Sequence, residues 1–415
     1  MNSTTTHTSW TTRRLGDRDV ALLTMGQSPA SSSYNNSGIG LPFYQGKADF
    51  GLRHPVPRVW CTAPARFADK GDVLLSVRAP VGDVNVATER CCIGRGVASV
   101  RASQSTVGEY LFFVLMAYKD ELDRLGSGAI FRAINKDTLV NFEIPVPPIA
   151  EQRAIAFFLS RIQDAIEIER RRVASLKELK AATMAKVFRE GLRGEPLRQT
   201  EVGEIPQSWT LAKAETLCET ISVGIVVTPA KYYAPSGIPC FRSFNVREDR
   251  LEDQDLVFIS ESANALHKKS IVRANDVLVV RTGYPGTACV VPERYTGSNC
   301  IDLIFCRPKP ALIGSDYLAR FLNSPWGKGH VRSSKGGLAQ QHFNVGAMKR
   351  MTVALPTLAE QRDVSVLGQK LDARVLIAER KRDLLTALFA SASSAVLSGR
   401  LSVAPLLERH LNAYA

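Results

Sequence analysis

The chain is poor in the residues that build enzymatic and metal centres. Its 415 residues include eight cysteines and six histidines. Cys61, Cys91, Cys92, Cys218, Cys240, Cys289, Cys300 and Cys306 form no C-x-x-C, and none has a histidine at zinc-finger spacing. Scattered thiols of this kind read as small buried hydrophobes. The longest aromatic-aliphatic run, Tyr110 to Tyr118, is about half of what a bilayer span needs. Met1-Asn-Ser-Thr-Thr-Thr-His offers neither a basic nor an apolar signal region, so a cytoplasmic protein is expected. A hydrophobic fraction of 45% with 22% charged residues excludes a largely disordered chain.

Catalytic motifs are missing too. There is no G-x-x-x-x-G-K-[ST] phosphate loop and no H-E-x-x-H. There is no Asn-Pro-Pro-aromatic string of the kind that holds a flipped adenine; Asn323-Ser-Pro-Trp326 lacks the second proline. Gly94-Arg-Gly96 could begin a dinucleotide fingerprint, but Ser99 takes the place of the third glycine. Glu178-Leu-Lys180 resembles the tail of a nuclease metal motif, yet it lies within a helical stretch and reads as a solvated pair. A non-catalytic chain is expected.

What is present is a repeat. Ser9-Trp10 returns as Ser208-Trp209. Gly71-Asp-Val-Leu-Leu-Ser-Val-Arg78 returns as Asn275-Asp-Val-Leu-Val-Val-Arg281, and Met25-Gly26 with Gly40-Leu-Pro42 is echoed by Val223-Gly224 with Gly237-Ile-Pro239. The strongest match is Ile144-Pro-Val-Pro-Pro-Ile-Ala-Glu-Gln-Arg153 with Ala354-Leu-Pro-Thr-Leu-Ala-Glu-Gln-Arg362. Ordered blocks at a nearly constant offset mean two copies of one plan, each about 200 residues long.

Each copy has two parts. The first holds short β-branched runs, such as Asp72 to Val77, Val97 to Val100, Asp276 to Val280 and Ile301 to Phe305, with helices predicted over Glu109–Leu125 and Asp316–Phe321. The second part, Ala150–Glu190 or Leu358–Ser398, has no proline, opens after one and stops at Gly191 or Gly399. Ile155, Leu159, Ile162, Ile166, Val173, Leu176 and Val187 form a 3-4 stripe, as do Val364, Leu367, Leu371, Leu385 and Leu388. About 40 residues at ~1.5 Å each make a helix on the order of 60 Å, which needs a partner as long as itself. The expected fold is α+β: two α/β domains separated by two long antiparallel helices in a coiled coil. The expected segments are 1–147, 148–195, 196–356 and 357–402, with a tail at 403–415. Trp10 and Trp209 should anchor the two cores.

These blocks resemble the specificity (S) subunit of type I restriction–modification systems. The Pro-x-Pro-Pro-Leu-Ala-Glu-Gln-Arg-like entries into the long helices carry the resemblance, together with the loops Gly26-Gln-Ser-Pro29 and Arg281-Thr-Gly-Tyr-Pro-Gly286. Arg132-Ala-Ile-Asn135 and Gln340-Gln-His-Phe-Asn344 add to it; Thr357, standing where the first copy has Pro148, departs from it. The resemblance implies two target recognition domains, each reading half of a bipartite, asymmetric site in double-stranded DNA. It implies two methyltransferase subunits and two ATP-dependent restriction subunits as partners, and no membrane. S-adenosylmethionine, Mg2+ and ATP would belong to those partners and none to this chain. A two-component methylase-nuclease and a coiled-coil scaffold that binds no DNA are the alternatives.

An excess of 53 Lys+Arg over 40 Asp+Glu suits a polyanionic partner. Candidate DNA contacts in the first module are Tyr34, Gln45, Lys47, Arg78, Arg132 and Asn135. In the second they are Lys231, Arg242, Asn245, Arg281, Tyr284, Lys335, Gln340, Gln341 and His342. Arginine suits guanine edges, Asn and Gln suit adenine, and lysine more often meets phosphate. Asn135 and Asn344 could equally cap helices, Arg78 and Arg281 could end strands, and Tyr34 and Tyr284 could pack on their own loops. Glu169-Arg-Arg-Arg172 reads as a solvated helix face.

Overall fold

The computed structural model describes residues 10–126, 133–333 and 343–403. The chain divides into two compact units, one made of residues 1–170 and 380–415, the other of 171–379.

In the first unit the strands Ala21–Met25, Val97–Ala102, Val73–Ser76 and Val84–Val86 lie side by side in that order, all antiparallel. A second sheet runs Tyr34–Asn35, Trp60–Cys61, Leu41–Tyr44, Cys91–Ile93 and Phe67–Ala68, with a parallel pair between Phe43 and Cys92. The second unit repeats the plan. Cys218–Val223, Leu303–Pro308, Val277–Val280 and Ala288–Val290 make its four-stranded sheet. Tyr233–Ala234, Val257–Ile259, Ile238–Phe241 and Asn299–Cys300 make the other, again with a parallel pair, Cys240 to Asn299.

In both units the segment after the tryptophan pairs with the strand that leads into a long helix: Thr11–Arg14 with Glu143–Val146, and Thr210–Lys213 with Thr352–Leu355. The long helices are Ile149–Glu190, 42 residues, and Leu358–Leu397, 40 residues. Their entries are fixed by the repeated glutamine. Gln152 Nε2 donates to Ser105 O and Pro147 O, and its Oε1 accepts from Val107 N–H. Gln361 does the same to Leu312 O, Pro356 O and Gly314 N–H. A tyrosine braces each entry strand, Tyr110 on Pro145 O at 2.9 Å and Tyr317 on Ala354 O at 2.6 Å.

The 3-4 stripe is buried and more regular than the sequence suggested. On the first helix Ile155, Leu159, Ile162, Ile166, Glu169, Val173, Leu176, Lys180 and Val187 are buried or half-buried, spaced alternately four and three over most of its length. On the second, Val364, Gly368, Leu371, Val375, Ala378, Arg382, Leu385, Phe389, Ala392 and Val396 keep the same alternation. Leu388, predicted on that stripe, is 51% exposed; Phe389, next to it, takes the position and packs against the first core. The first core also takes in Ala154 to Ile162 and Ala392 to Leu397, while the second takes in Met184 to Phe188 and Val364 to Leu371. Each core thus uses parts of both helices.

Other expectations need correction. Glu109–Leu125 is two helices, Gly108–Ala117 and Lys119–Leu125, broken at Tyr118. Tyr110 to Leu115 are all buried, so the first of the two is enclosed by core on every side, whereas the polar second can lie only at the surface. The strand predicted from Ile301 begins at Leu303, because Asp302 has a left-handed backbone, φ 49°. Lys180 is no solvated residue: its ammonium lies 2.8 Å from Asp249 and 2.5 Å from Asp372. Glu169 is likewise buried, 2.6 Å from Lys381, so the Glu169-Arg-Arg-Arg172 cluster is not one solvated face. Trp209 is a fully buried anchor, whereas Trp10 is half-buried and donates its indole N–H to Glu151. All eight cysteines are buried and free. Among the described residues no helix is long and apolar enough to cross a membrane.

Candidate nucleic-acid interface

In the first unit, backbone hydrogen bonds draw four loops to one end of the sheets. Gln27 N–H donates to Ile93 O, Gly94 N–H to Tyr44 O, and Val77 N–H to Gly96 O, at 2.8–3.0 Å. Arg95 N–H reaches Ser28 Oγ at 3.3 Å. Gly26 is required here, since a Cβ on it would stand 2.1 Å from Gly94 O. The loop end therefore gathers Gln45, Lys47, Arg78 and Arg95.

Their chemistry differs. Gln45 is exposed on its turn. Lys47 is committed to Asp83 at 2.9 Å, and Lys119 meets the same oxygen at 2.8 Å. Burial opposes the Asp83 charge, but the hydrogen bonds and charges of Lys119 and Lys47 outweigh it and hold the carboxyl below its usual range. Arg78 and Arg95 are exposed and have no ion-pair partner among the described residues. Tyr34 packs inward, its hydroxyl on Pro29 O at 2.8 Å and its ring 4.8 Å from Phe43, so it shapes the loop from behind. Asn135 caps the helix Lys136–Val140, accepting from Thr138 N–H at 2.8 Å. Arg132 lies outside the described residues.

In the second unit the same end is drawn together by Gly224 N–H to Leu303 O, Ile225 N–H to Cys300 O and Ile301 N–H to Phe241 O, at 2.7–2.9 Å. Lys231 is exposed, its ammonium 4.9 Å above the Tyr232 ring. Asn245 is fully buried and spends its amide on Arg242 N–H and Gln254 O, which makes it a turn-former. Arg242 donates to Asp255 O at 2.6 Å. Arg281 donates from Nη1 to Asp302 at 2.7 Å and from Nε to Phe343 O at 3.4 Å. Tyr284 is 84% exposed at the tip of a loop closed by Gly286 N–H on Val280 O. Lys335, Gln340, Gln341 and His342 lie outside the described residues.

Sequence reasoning passed over Arg95 and Asp302. Gly94-Arg-Gly96 attracted notice only as an incomplete nucleotide motif. Arg95 sits in the turn closed by Val97 N–H on Gly94 O; the signal that finds Asp302 is strand register, since Leu303 pairs with Val280. Continued one step past the strand end, that ladder sets Asp302 opposite Arg281, where the two form an ion pair.

Residues 8–178 match the family model of the type I restriction modification DNA specificity domain. Over 176 residues the chain is 44% identical to the type I restriction enzyme MjaX specificity subunit of Methanocaldococcus jannaschii, a match covering 42% of this chain and 41% of that protein. It is 22% identical to the type I restriction enzyme EcoBI specificity subunit of Escherichia coli, across 97% of this chain and 92% of that one. A type I restriction-modification S subunit from M. genitalium shares the fold, with a TM-score of 0.60 at 14% identity over 95% of this chain and 98% of that chain. The first module and the start of its long helix are thus similar to a type I restriction modification DNA specificity domain, and nearly the whole chain is similar to a type I specificity subunit.

Proposed function

We propose that the chain is the DNA sequence-specificity subunit of a type I restriction–modification complex. It binds a bipartite, asymmetric site in double-stranded DNA and directs methyltransferase and restriction subunits to it. The observation that supports this best is one scaffold built twice with different side chains at its loop end: exposed Arg78 and Arg95 in one copy, Arg281 ion-paired to Asp302 in the other. Shared scaffolds with divergent loops suit two readers that recognise different half-sites.

In this reading the two long helices pack as an antiparallel coiled coil that sets the spacing of the half-sites. The alternating four-three burial on both helices supports that packing, as do the Lys177–Glu379 and Lys180–Asp372 pairs within the second unit. Two similar entries into those helices suit two copies of one methyltransferase partner, with two ATP-dependent restriction subunits joining for cleavage. S-adenosylmethionine, Mg2+ and ATP then act on the partners, and the complex works in the cytoplasm. Sequencing the methylated adenines of cells with and without this gene is the test. A single bipartite motif that vanishes with the gene is expected; an unchanged methylome would overturn the reading.

A further inference from the structure

The loop that follows the first strand of each four-stranded sheet starts alike in the two units and then diverges. Gln27 N–H on Ile93 O and Ile225 N–H on Cys300 O are matching hydrogen bonds, and Tyr34 and Tyr233 open matching strands. Between them the first copy runs from Ser28 to Ser33, and the second, one residue longer, from Val226 to Tyr232. Ser28 ties the first loop back, its Oγ accepting from Arg95 N–H. The second loop has valines there instead. Val226 is 48% and Val227 70% exposed, and neither joins a hydrophobic core among the described residues. The next residue, Thr228, has a left-handed backbone at φ 43° and ψ 53°, a conformation that costs a β-branched residue energy. A lone exposed valine is ordinary; two together, followed by a residue held under strain, are not what burial alone would leave. The base of the loop is fixed. Ile225 O accepts from Asp302 N–H at 3.1 Å, and Asp302 pairs with Arg281, so the valines follow directly on the segment bonded to that ion pair. On the other side, exposed Lys231 closes the turn through its N–H on Thr228 O at 3.2 Å.

Resting on the DNA-specificity reading above, we propose that Val226 and Val227 form an apolar reading tip, and that Val227 meets the 5-methyl group of one thymine in the major groove of the half-site read by the second module. The cations that bracket the tip, Arg281 and Lys231, suit a polyanion. In the major groove the base edges are hydrogen-bond donors and acceptors, with one apolar projection among them, the thymine methyl group. A valine side chain can satisfy none of the polar groups, so the methyl group is the one that gains from meeting it. β-Branching leaves valine few side-chain states, so little entropy is lost on contact. The first module presents the hydroxyl of Ser28 at the start of the corresponding segment and has no such tip.

The test uses the full chain. Duplexes with a randomised central stretch are selected and sequenced, and each thymine of the selected site is then replaced singly by deoxyuridine, which removes only the methyl group. One replacement, in one half-site, should weaken binding by about fourfold, the worth of one buried methyl group at the tip. Val227→Ala should bind the thymine and deoxyuridine duplexes equally, with the other base preferences and the fold unchanged, because the residue is exposed. Val227→Ile, which keeps a β-branched apolar tip, should retain the discrimination. A Val227→Ala chain that still discriminates, or a selected site in which no thymine methyl group matters, would overturn the proposal. So would a Val227→Ala chain with unchanged base preferences but weakened association with a methyltransferase subunit, which would make the tip a protein contact. An unaltered chain that selects no sequence would overturn the DNA-specificity reading itself.

Discussion

Gln152 and Gln361 make the same three hydrogen bonds in the two units, each clamping the start of a long helix to the loop before the module's own helix. Both side chains are buried, so each clamp satisfies two carbonyls and one N–H that water does not reach. Gln152→Leu strands those groups in the first unit only, and Gln361→Leu in the second only. Each should destabilise its own unit by about 3 kcal/mol. Hydrogen exchange resolved by segment is the measurement, because two units need not unfold as one. Equal loss of protection in both units would contradict the assignment.

The repeated Ala-Glu-Gln-Arg string is therefore legible in the sequence for a physical reason. A buried amide with three partners tolerates no substitute, so the same residues recur where the same job recurs. The loop ends are the opposite case. Asp302 gains its meaning from strand register, and no local pattern shows which residue faces which across a ladder. Asn245 is a plausible base reader by residue type, yet its buried amide is spent on Arg242 N–H and Gln254 O, and Arg242 itself donates to Asp255 O. Lys180 was unreadable for a related reason: the carboxylates that hold it, Asp249 and Asp372, are remote in sequence from it and from one another.

Those carboxylates also hold Arg320, which is 3% exposed and meets Asp249, Asp316 and Asp372. Arg320→Ala leaves Asp249 and Asp372 to Lys180 alone, takes from Asp316 its arginine partner, and should cost the second unit about 3–5 kcal/mol. Burial works against the charge of both cations, but the carboxylates outweigh it and raise both above their ordinary values. Raised folded values mean that this contribution is complete below the unfolded values and is lost only as pH rises through the folded ones. Acid sensitivity of the second unit therefore comes from carboxylates and not from these cations.

Glu379 is one such source. Burial disfavours its charge, but the hydrogen bond and charge of Lys177, with Arg250 adding to them, hold its carboxyl below the ordinary 4.5. A depressed value means stability that is present above the unfolded value and lost as pH falls through the folded one. Glu379→Gln should therefore be less stable than the unaltered chain at neutral pH. The gap should begin to close near 4.5 and vanish below the folded value. Thermal unfolding of both proteins across the acidic range checks this; a gap independent of pH would refute it.

The thiols give a simple readout of integrity. Burial pushes Cys91 and Cys240 up to about 12 and Cys92 up to about 11, and all eight side chains are buried. The thiolate is the reactive form, so the native chain should react negligibly with a thiol reagent at mildly alkaline pH. Eight equivalents should appear on denaturation. Rapid labelling of any one cysteine in the native state would show that its module is open.

Gly368 supplies the sharpest stability test. It is the one glycine within the second long helix, where an alanine should ordinarily add about 1 kcal/mol of stability. The guanidinium of Arg320 lies over it, and a Cβ there would stand 2.4 Å from Arg320 Cζ and Nη1. An exposed arginine would move aside. This one is pinned by three carboxylates and nearly inaccessible to water, so it cannot shift without breaking pairs whose charges would remain buried. Gly368→Ala should therefore destabilise the second unit by about 2 kcal/mol or more, reversing the sign expected from helix propensity. Adding Arg320→Ala to it should cost less than the sum of the two single changes, since one change makes room for the other. A stabilising Gly368→Ala would mean that Arg320 is not held over this helix as described.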